Sequence, residues 1–306
     1  MVIDENIVAA CQEERFTRVK HDKSFPENAI ESVLNIAKVP FSKVDKIIFY
    51  ESIEKKFDRV MTKNLSLVPK SFKSLKETVN KWLSFRLQVK KEIIEFFSRN
   101  ASEINWDSRI YFSEHHLSHA ASAFYPSPFK ESAILVVDGV GEWETTSIYK
   151  GSENSITKLS EIRFPHSLGF LYSAFTEFLG FKVNSGEYKV MGLAPYGRDI
   201  FTKLIKDKII KIFDDGSFEL NLEYFDFLLG DSMISNKFDK LFRVPRRENE
   251  SNLTQVYADI AASIQSVTNE IMVKLSCQAI KLAGTKNLCL AGGVALNCVA
   301  NGKILK

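Results

Sequence analysis

The chain has 306 residues, 45% hydrophobic and 26% charged, with a net charge of +3. These values are ordinary for a soluble globular protein with room for one large domain or two lobes, and the charge gives no argument for nucleic acid or a membrane. The four cysteines (Cys11, Cys277, Cys289, Cys298) are scattered with no Cys-x-x-Cys pair, so neither a zinc knuckle nor a disulfide framework is indicated, and free thiols fit a reducing cytoplasm; no apolar run approaches a membrane span, and the N-terminus lacks the pattern of a secretory signal.

In chain order the pattern reads as α/β. An Asp4-Glu5-Asn6 turn leads into a short strand at Ile7 to Ala10, and a dense charge cluster, Glu13, Glu14, Arg15 and Arg18, follows. Such clusters are usually solvated faces. Pro26-Glu27 opens a helix with Ile30, Val33, Leu34 and Ala37 at helical spacing, ended near Pro40. Lys46 to Tyr50 reads as a strand. From Lys55 to Lys91 the chain carries eleven Lys or Arg against Asp58 and Glu77, with Phe57, Phe72, Trp82 and Phe85 interleaved. This basic helical insert, about 55–105, is read as packed on its own domain rather than as a nucleic-acid surface.

Arg109 to Phe112 leads into a histidine-bearing helix with Ser113 as its N-cap, stopped by Pro126 and Pro128. Strands at Ala133 to Val137, Thr146 to Tyr149 and Lys158 to Phe164 are consecutive enough to form a meander, and Leu168 to Leu179 reads as a helix closed by Gly180. A glycine-rich loop spans Ser185 to Gly197, a helix Phe201 to Ile212, and an irregular stretch Asp214 to Glu250. The longest helix, Leu253 to Leu282, carries an apolar stripe of Val256, Ile260, Ile264, Val267, Ile271, Leu275, Ala279 and Leu282 and stops at Gly284. A short strand, Asn287 to Ala291, then enters the Gly292-Gly293 turn, before a helix starting near Val294.

Two features carry chemistry. His115 and His119 are four apart, so on a helix they share a face, whereas His116 lies about 100° around. Two neutral imidazoles so placed chelate a divalent metal, and Asp138 at a strand end supplies an oxygen. A capped helix with surface histidines has the same spacing; the third histidine and the strand-end aspartate favour the metal. The second feature is the pair of glycine turns after strands, Asp138-Gly139-Val140-Gly141 and Gly292-Gly293. Glycines let backbone approach a ligand closely, and a following helix N-terminus is partially positive, which suits a phosphate. An Asp-Gly pair also serves as a local backbone cap. His166 reads as structural.

The run His115-His116-Leu117-Ser118-His119-Ala120-Ala121-Ser122-Ala123-Phe124 resembles the metal-binding helix of the O-carbamoyltransferases of nodulation-factor and antibiotic biosynthesis. Four further segments agree in content and order: Gln12 to Arg18, Asp138 to Glu142, Ser185 to Gly197, and Ala291 to Asn297. The resemblance spans residues 3 to 306. It implies an actin-like ATPase (ASKHA) fold in two lobes, a first at 1–165 and a partial second at 166–306. It implies His115, His119 and Asp138 as metal ligands, and Gly139, Gly141, Gly292, Gly293 and Asn297 as nucleotide contacts. Glu187 and Lys189 would line the active-site cleft, with Arg15 and Arg18 as substrate-anion contacts.

The implied activity is transfer of a carbamoyl group to a hydroxyl of a small molecule or sugar, from carbamoyl-adenylate made of carbamoyl phosphate and ATP. Iron(II) suits a shell of two imidazoles and a carboxylate, and the set admits zinc or manganese. Members of the family also carry a His-Asp-x-Ser loop before the first strand, a later Gly-Asp-x-Gly loop and a further C-terminal domain. The sequence is therefore expected to be truncated at both ends, with a separate chain as one source of the adenylate-forming domain. A tRNA threonylcarbamoyl transferase and a non-catalytic nucleotide-binding remnant are the alternatives. The Glu13-Glu14-Arg15-Phe16-Thr17-Arg18 and Gly186-Glu187-Tyr188-Lys189 segments favour the O-carbamoyltransferases over the former.

Overall fold

The structure, a computed structural model, describes residues 1–20, 22–230, 232–249 and 251–305, and within the helix 72–100 the side chains at 73, 74 and 77–87 lie outside the described residues. Asp4 and Glu5 both take positive φ, 47° and 66°, and fold Val2–Ile3 (β1) back on Asn6–Ile7 (β2). The strand expected at 7–10 therefore pairs earlier, around the turn instead of after it. Glu14–Thr17 (α1) is a single turn, and Glu27–Ala37 (α2) buries Ala29 and Leu34 before Lys38 ends it in the left-handed region. Ile47–Phe49 (β3) is followed by Ile53–Ser66 (α3), capped by the Ser52 hydroxyl, and by Phe72–Asn100 (α4). Ile110–Phe112 (β4) returns parallel to β3. Leu34, Ile93, Phe96, Phe97, Trp106 and Ile110 close a core between these elements. The basic insert is thus two helices whose C-terminal end is anchored by aromatic packing; the side chains of Trp82 and Phe85 fall outside the described residues.

His115–Phe124 (α5) leads to the main sheet. Glu131–Val137 (β5), Glu144–Ser152 (β6) and Ser155–Arg163 (β7) form the expected antiparallel meander. Leu168–Phe178 (α6) follows, capped by the Ser167 hydroxyl on the Phe170 N–H. The glycine-rich stretch is not a loop: Glu187–Leu193 forms a helix (α7), with Gly186 at its N-cap, extended by a 3-10 turn at Ala194–Tyr196. The helix expected at 201–212 stops at Lys208 (Thr202–Lys208, α8). Its β-branched remainder, Ile210–Ile212 (β8), pairs with Phe218–Leu220 (β9) instead. A short helix, Asn236–Asp239 (α9), precedes the long Gln255–Ala283 (α10), which ends at Gly284 with φ 67°. Leu288–Ala291 (β10) and Cys298–Ile304 (α11) complete the chain, a 3-10 turn at Gly293–Leu296 standing where the last helix was expected to start.

The sheet order is β10-β5-β6-β7, with β10 parallel to β5, so it joins residues of both expected lobes. β5 is buried on both faces, which is why five apolar residues run from Ala133 to Val137 without alternation. Ala133, Leu135 and Val137 meet the core of α6 and α10, while Ile134 and Val136 meet Ala120 and Phe124 of α5. The α10 stripe is buried from Ile260 to Ala279, but Leu282 at its end is 43% exposed. Among the described residues no helix is long and apolar enough to cross a membrane. The consequence for the site is simple: β5 and β10 run side by side, so the turns after Val137 and Ala291 emerge together beside α5.

Candidate metal centre and cleft

Three side chains converge at that sheet end. His115 Nε2 lies 3.1 Å from Asp138 Oδ2, His119 Nε2 3.1 Å from His115 Nε2, and His119 Nε2 3.4 Å from Asp138 Oδ2. A divalent ion bound at about 2.1 Å holds neighbouring nitrogen and oxygen ligands roughly 3.0–3.4 Å apart, so this triangle fits one ion. The donor set, two imidazoles and a carboxylate, suits iron, zinc or manganese. The triangle is partly open, with 18%, 32% and 20% of the side chains of His115, His119 and Asp138 exposed.

Asp138 divides its oxygens. Oδ1 accepts the Gly293 N–H at 3.1 Å, while Oδ2 faces the histidines. Burial would raise this carboxyl, but the histidine contacts and the Gly139 and Gly293 amides outweigh it and hold it far below the usual carboxylate range. Burial likewise would lower His115; its hydrogen bond to Asp138 and the Glu51 and Glu142 carboxylates outweigh that and raise it to about 9. A divalent ion at this triangle would have to displace a proton from the ring.

Helix α5 has no side-chain cap of its own. Its N-cap is Glu114, not Ser113, and the capping comes from across the fold: the fully buried Glu142 accepts the His115 N–H at 3.0 Å through both oxygens, and the Ser52 N–H at 2.6 Å. Glu51, also buried, is held by Lys56 Nζ at 2.8 Å from both oxygens and stands 3.7 Å from His115 Nδ1. His116 points into the sheet, its Nδ1 2.8 Å from Ser147 Oγ, and burial pushes it down to about 4, so it stays neutral and apart from the triangle. Gly141 is a contact glycine: a Cβ there would come within 2.9 Å of the His116 ring and 3.1 Å of His115 Cβ.

Beyond Asp138 opens a cavity of about 430 Å³, within the range of small-molecule sites. Gly139, Gly169 and Gly293 border it on the Asp138 side, and Tyr188, Val294 and Leu296 form an apolar wall. Gly292, just before Gly293, has φ 91°, a conformation open to glycine, and the absence of a Cβ lets it lie directly against the Val137 carbonyl. The carboxylate of Glu187 lies in the cavity wall and accepts from Ser173 Oγ at 2.8 Å, the Asn184 N–H at 2.9 Å and the Gly186 N–H at 3.1 Å.

The expected residues therefore separate into groups. His115, His119 and Asp138 form the triangle, and Gly139, Gly293, Asn297 and Glu187 line the cavity beside it. The Asn297 amide is engaged within the protein, capping α11 at the Ala300 N–H and pairing twice with Gln265. Gly292 and Gly141 do not line the cavity and are close-approach glycines, Gly292 against the Val137 carbonyl and Gly141 against His115 and His116. Lys189 is exposed, with Nζ over the Phe181 ring, and Arg15 and Arg18 are exposed on and after α1; none of the three lines the cavity. Lys20, two residues past Arg18, does line it. Sequence reasoning passed over Lys20, although it closes the same charged run, and over Glu51 and Glu142 as partners of the histidine turn.

The site is thus a cavity at the ends of two parallel strands with a histidine-carboxylate triangle at its edge. The chain matches the carbamoyltransferase N-terminus family over residues 1–306 and belongs to it. It is 49% identical over 310 residues to the uncharacterised protein sll1178 of Synechocystis, covering all of this chain and 50% of that protein. It is 32% identical over 311 residues to the nodulation protein NolNO of Sinorhizobium fredii, covering all of this chain and 41% of the relative. The nodulation protein NolO of Bradyrhizobium diazoefficiens matches at 33% over 191 residues, 62% of this chain and 33% of that one. The chain thus spans about half the length, or less, of these relatives.

Proposed function

We propose that this chain supplies the metal- and nucleotide-binding part of an ATP-dependent O-carbamoyltransferase, passing a carbamoyl group from carbamoyl-adenylate to a hydroxyl of a small molecule or sugar, in the cytoplasm. The adenylate would arise from carbamoyl phosphate and ATP in a further domain or chain. The fold is read as the actin-like ATPase kind, with the cleft between its two lobes. The single observation that carries the reading is the position of Asp138, whose carboxylate belongs both to the histidine triangle and to the border of the cavity.

A divalent ion held by His115, His119 and Asp138 would polarise the donor's carbonyl or phosphate oxygens as a Lewis acid. The chain's own residues do the rest. Gly139, Gly169 and Gly293 lack side chains where a phosphate would approach, and the nearby ammonium of Lys20 offsets its charge. The Glu187 carboxylate, fixed by two backbone amides and Ser173, is placed to accept ribose hydroxyls, and Tyr188, Val294 and Leu296 offer a base an apolar face. Holding donor and acceptor in line within one cavity supplies rate through orientation.

The test is elemental analysis after anaerobic loading with iron(II), zinc or manganese. Wild type should retain about one ion per chain; His119→Ala should lose most of it, and His116→Ala should lose little, because its ring faces Ser147. Equal loss in both variants, or no ion in wild type, refutes the reading.

A further inference from the structure

Three consecutive residues after β3 grip the first turn of α5. The Tyr50 ring packs edge-on against the His115 imidazole with centroids 5.7 Å apart, and the Tyr50 carbonyl accepts the Ser118 hydroxyl at 2.8 Å. Glu51, only 2% exposed, stands 3.7 Å from His115 Nδ1. Ser52 donates its N–H to Glu142, the same carboxylate that caps the His115 N–H. Lys56 clamps both oxygens of Glu51 at 2.8 Å, so the carboxylate cannot swing away from the ring.

This arrangement has a chemical meaning for the ring. His115 Nδ1 is buried and has no hydrogen bond in the structure; the carboxylate facing it lies about half an ångström beyond hydrogen-bond reach. An ion at the triangle would take the Nε2 lone pair, which leaves the proton of the neutral ring on Nδ1, where Glu51 is the carboxylate that faces it. An outer carboxylate of this kind fixes the tautomer and the ring plane and makes the imidazole a stronger donor. Packing alone would need neither a charge at Glu51 nor a lysine to hold it.

We propose that Glu51 is the positioning residue of the metal centre, fixing His115 with its proton on Nδ1 and its Nε2 aimed at the ion, with Lys56 fixing Glu51 in turn. The proposal rests on the reading of His115, His119 and Asp138 as ion ligands.

The test loads the 306-residue chain with cobalt(II), and measures affinity by chelator competition, ligation by the d–d absorption, and stability by thermal unfolding of the ion-free protein. Glu51→Gln keeps the size and an acceptor oxygen but loses the charge; Glu51→Met keeps the size and loses both. Affinity should fall in the order wild type, Gln, Met, with Met at least about tenfold weaker, while ion-free unfolding stays close to wild type. Affinities within threefold of each other overturn the proposal and leave the ligand triangle standing. No cobalt binding by wild type, or binding that survives His119→Ala, overturns the ligand reading instead, and the role of Glu51 with it. If Glu51→Met does not fold, Glu51→Asp and Glu51→Gln decide: tighter binding by the Asp variant supports a charge-dependent role, and equal or tighter binding by Gln overturns it.

Discussion

Replacing Gly292 by alanine tests the geometry that brings the two strand ends together. Its φ of 91° and ψ of 168° lie in a region that only glycine occupies readily, and placing another residue there costs about 1–3 kcal/mol. The added Cβ would also come within 2.4 Å of the Val137 carbonyl oxygen and 2.8 Å of its carbon, atoms fixed in the central strand. Overpacking of this sort costs a further 1–3 kcal/mol or so. The sum is about 4 kcal/mol, and at about 2 °C per kcal/mol for a chain of this size the melting temperature should fall by about 8 °C.

Two other glycines calibrate the number. Gly284 has φ 67° but nothing within 4 Å of its added Cβ, so Gly284→Ala should cost only about 1 kcal/mol. Gly192 is exposed within α7 and also faces open space, so Gly192→Ala should stabilise by about 0.5–1 kcal/mol. Thermal and urea unfolding of the three variants give the ranking. A Gly292→Ala protein that melts within about 2 °C of wild type, or above Gly284→Ala, refutes the close approach of the turn to β5.

Two further outcomes follow from buried carboxylates. Glu142→Ala leaves the Ser52 and His115 amides without their acceptor and should cost about 3 kcal/mol, with Glu142→Gln retaining part of it; denaturant midpoints measure both, and an unchanged midpoint for the alanine variant refutes the capping role. Burial would raise Glu144, but its hydrogen bond from Lys158 at 2.7 Å and the accompanying contacts lower it to about 2. Because the folded value is depressed, its stabilisation is present above the ordinary value near 4.5 and is lost as pH falls toward 2. Glu144→Gln should therefore flatten the acid limb of the stability profile across that window, and a limb of unchanged slope would contradict the pair's role.

The parts legible in the sequence are those written in local periodicity. A four-residue histidine spacing sets one helix face, a run of five apolar residues sets a doubly buried strand, and Gly284 stops α10 where its stripe ends. Turn chemistry is legible too, at Asp4 and Glu5, although the strand pairs earlier than its pattern suggests because the turn itself sits inside the hairpin. The glycines at 186 and 192 made a helix look like a loop; Gly186 serves as its N-cap, and Gly192 is tolerated on an exposed face. At Ile210–Ile212 tertiary pairing with β9 prevailed over helical continuation. What no local pattern shows is a cap or a partner supplied from far along the chain. Glu142 serves an amide 27 residues before it and another 90 before it, Glu13 caps α2 through the Asn28 and Ala29 amides, and Glu51 meets a ring 64 positions later. Carboxylates of this kind look like solvated charges until the fold buries them.

The divided carboxylate of Asp138 has one more implication. Its Oδ1 is tied to the Gly293 amide, which belongs to the wall of the cavity, and its Oδ2 belongs to the histidine triangle, so neither oxygen can move without the other. A shift of the Gly292–Gly293 turn would bear on the carboxylate through Oδ1, and a pull on Oδ2 would bear on the turn. If an ion takes the triangle and a nucleotide the cavity, as proposed, the two would be coupled, and coupling is reciprocal: whatever factor the ion contributes to the affinity for a nucleotide, the nucleotide returns to the ion.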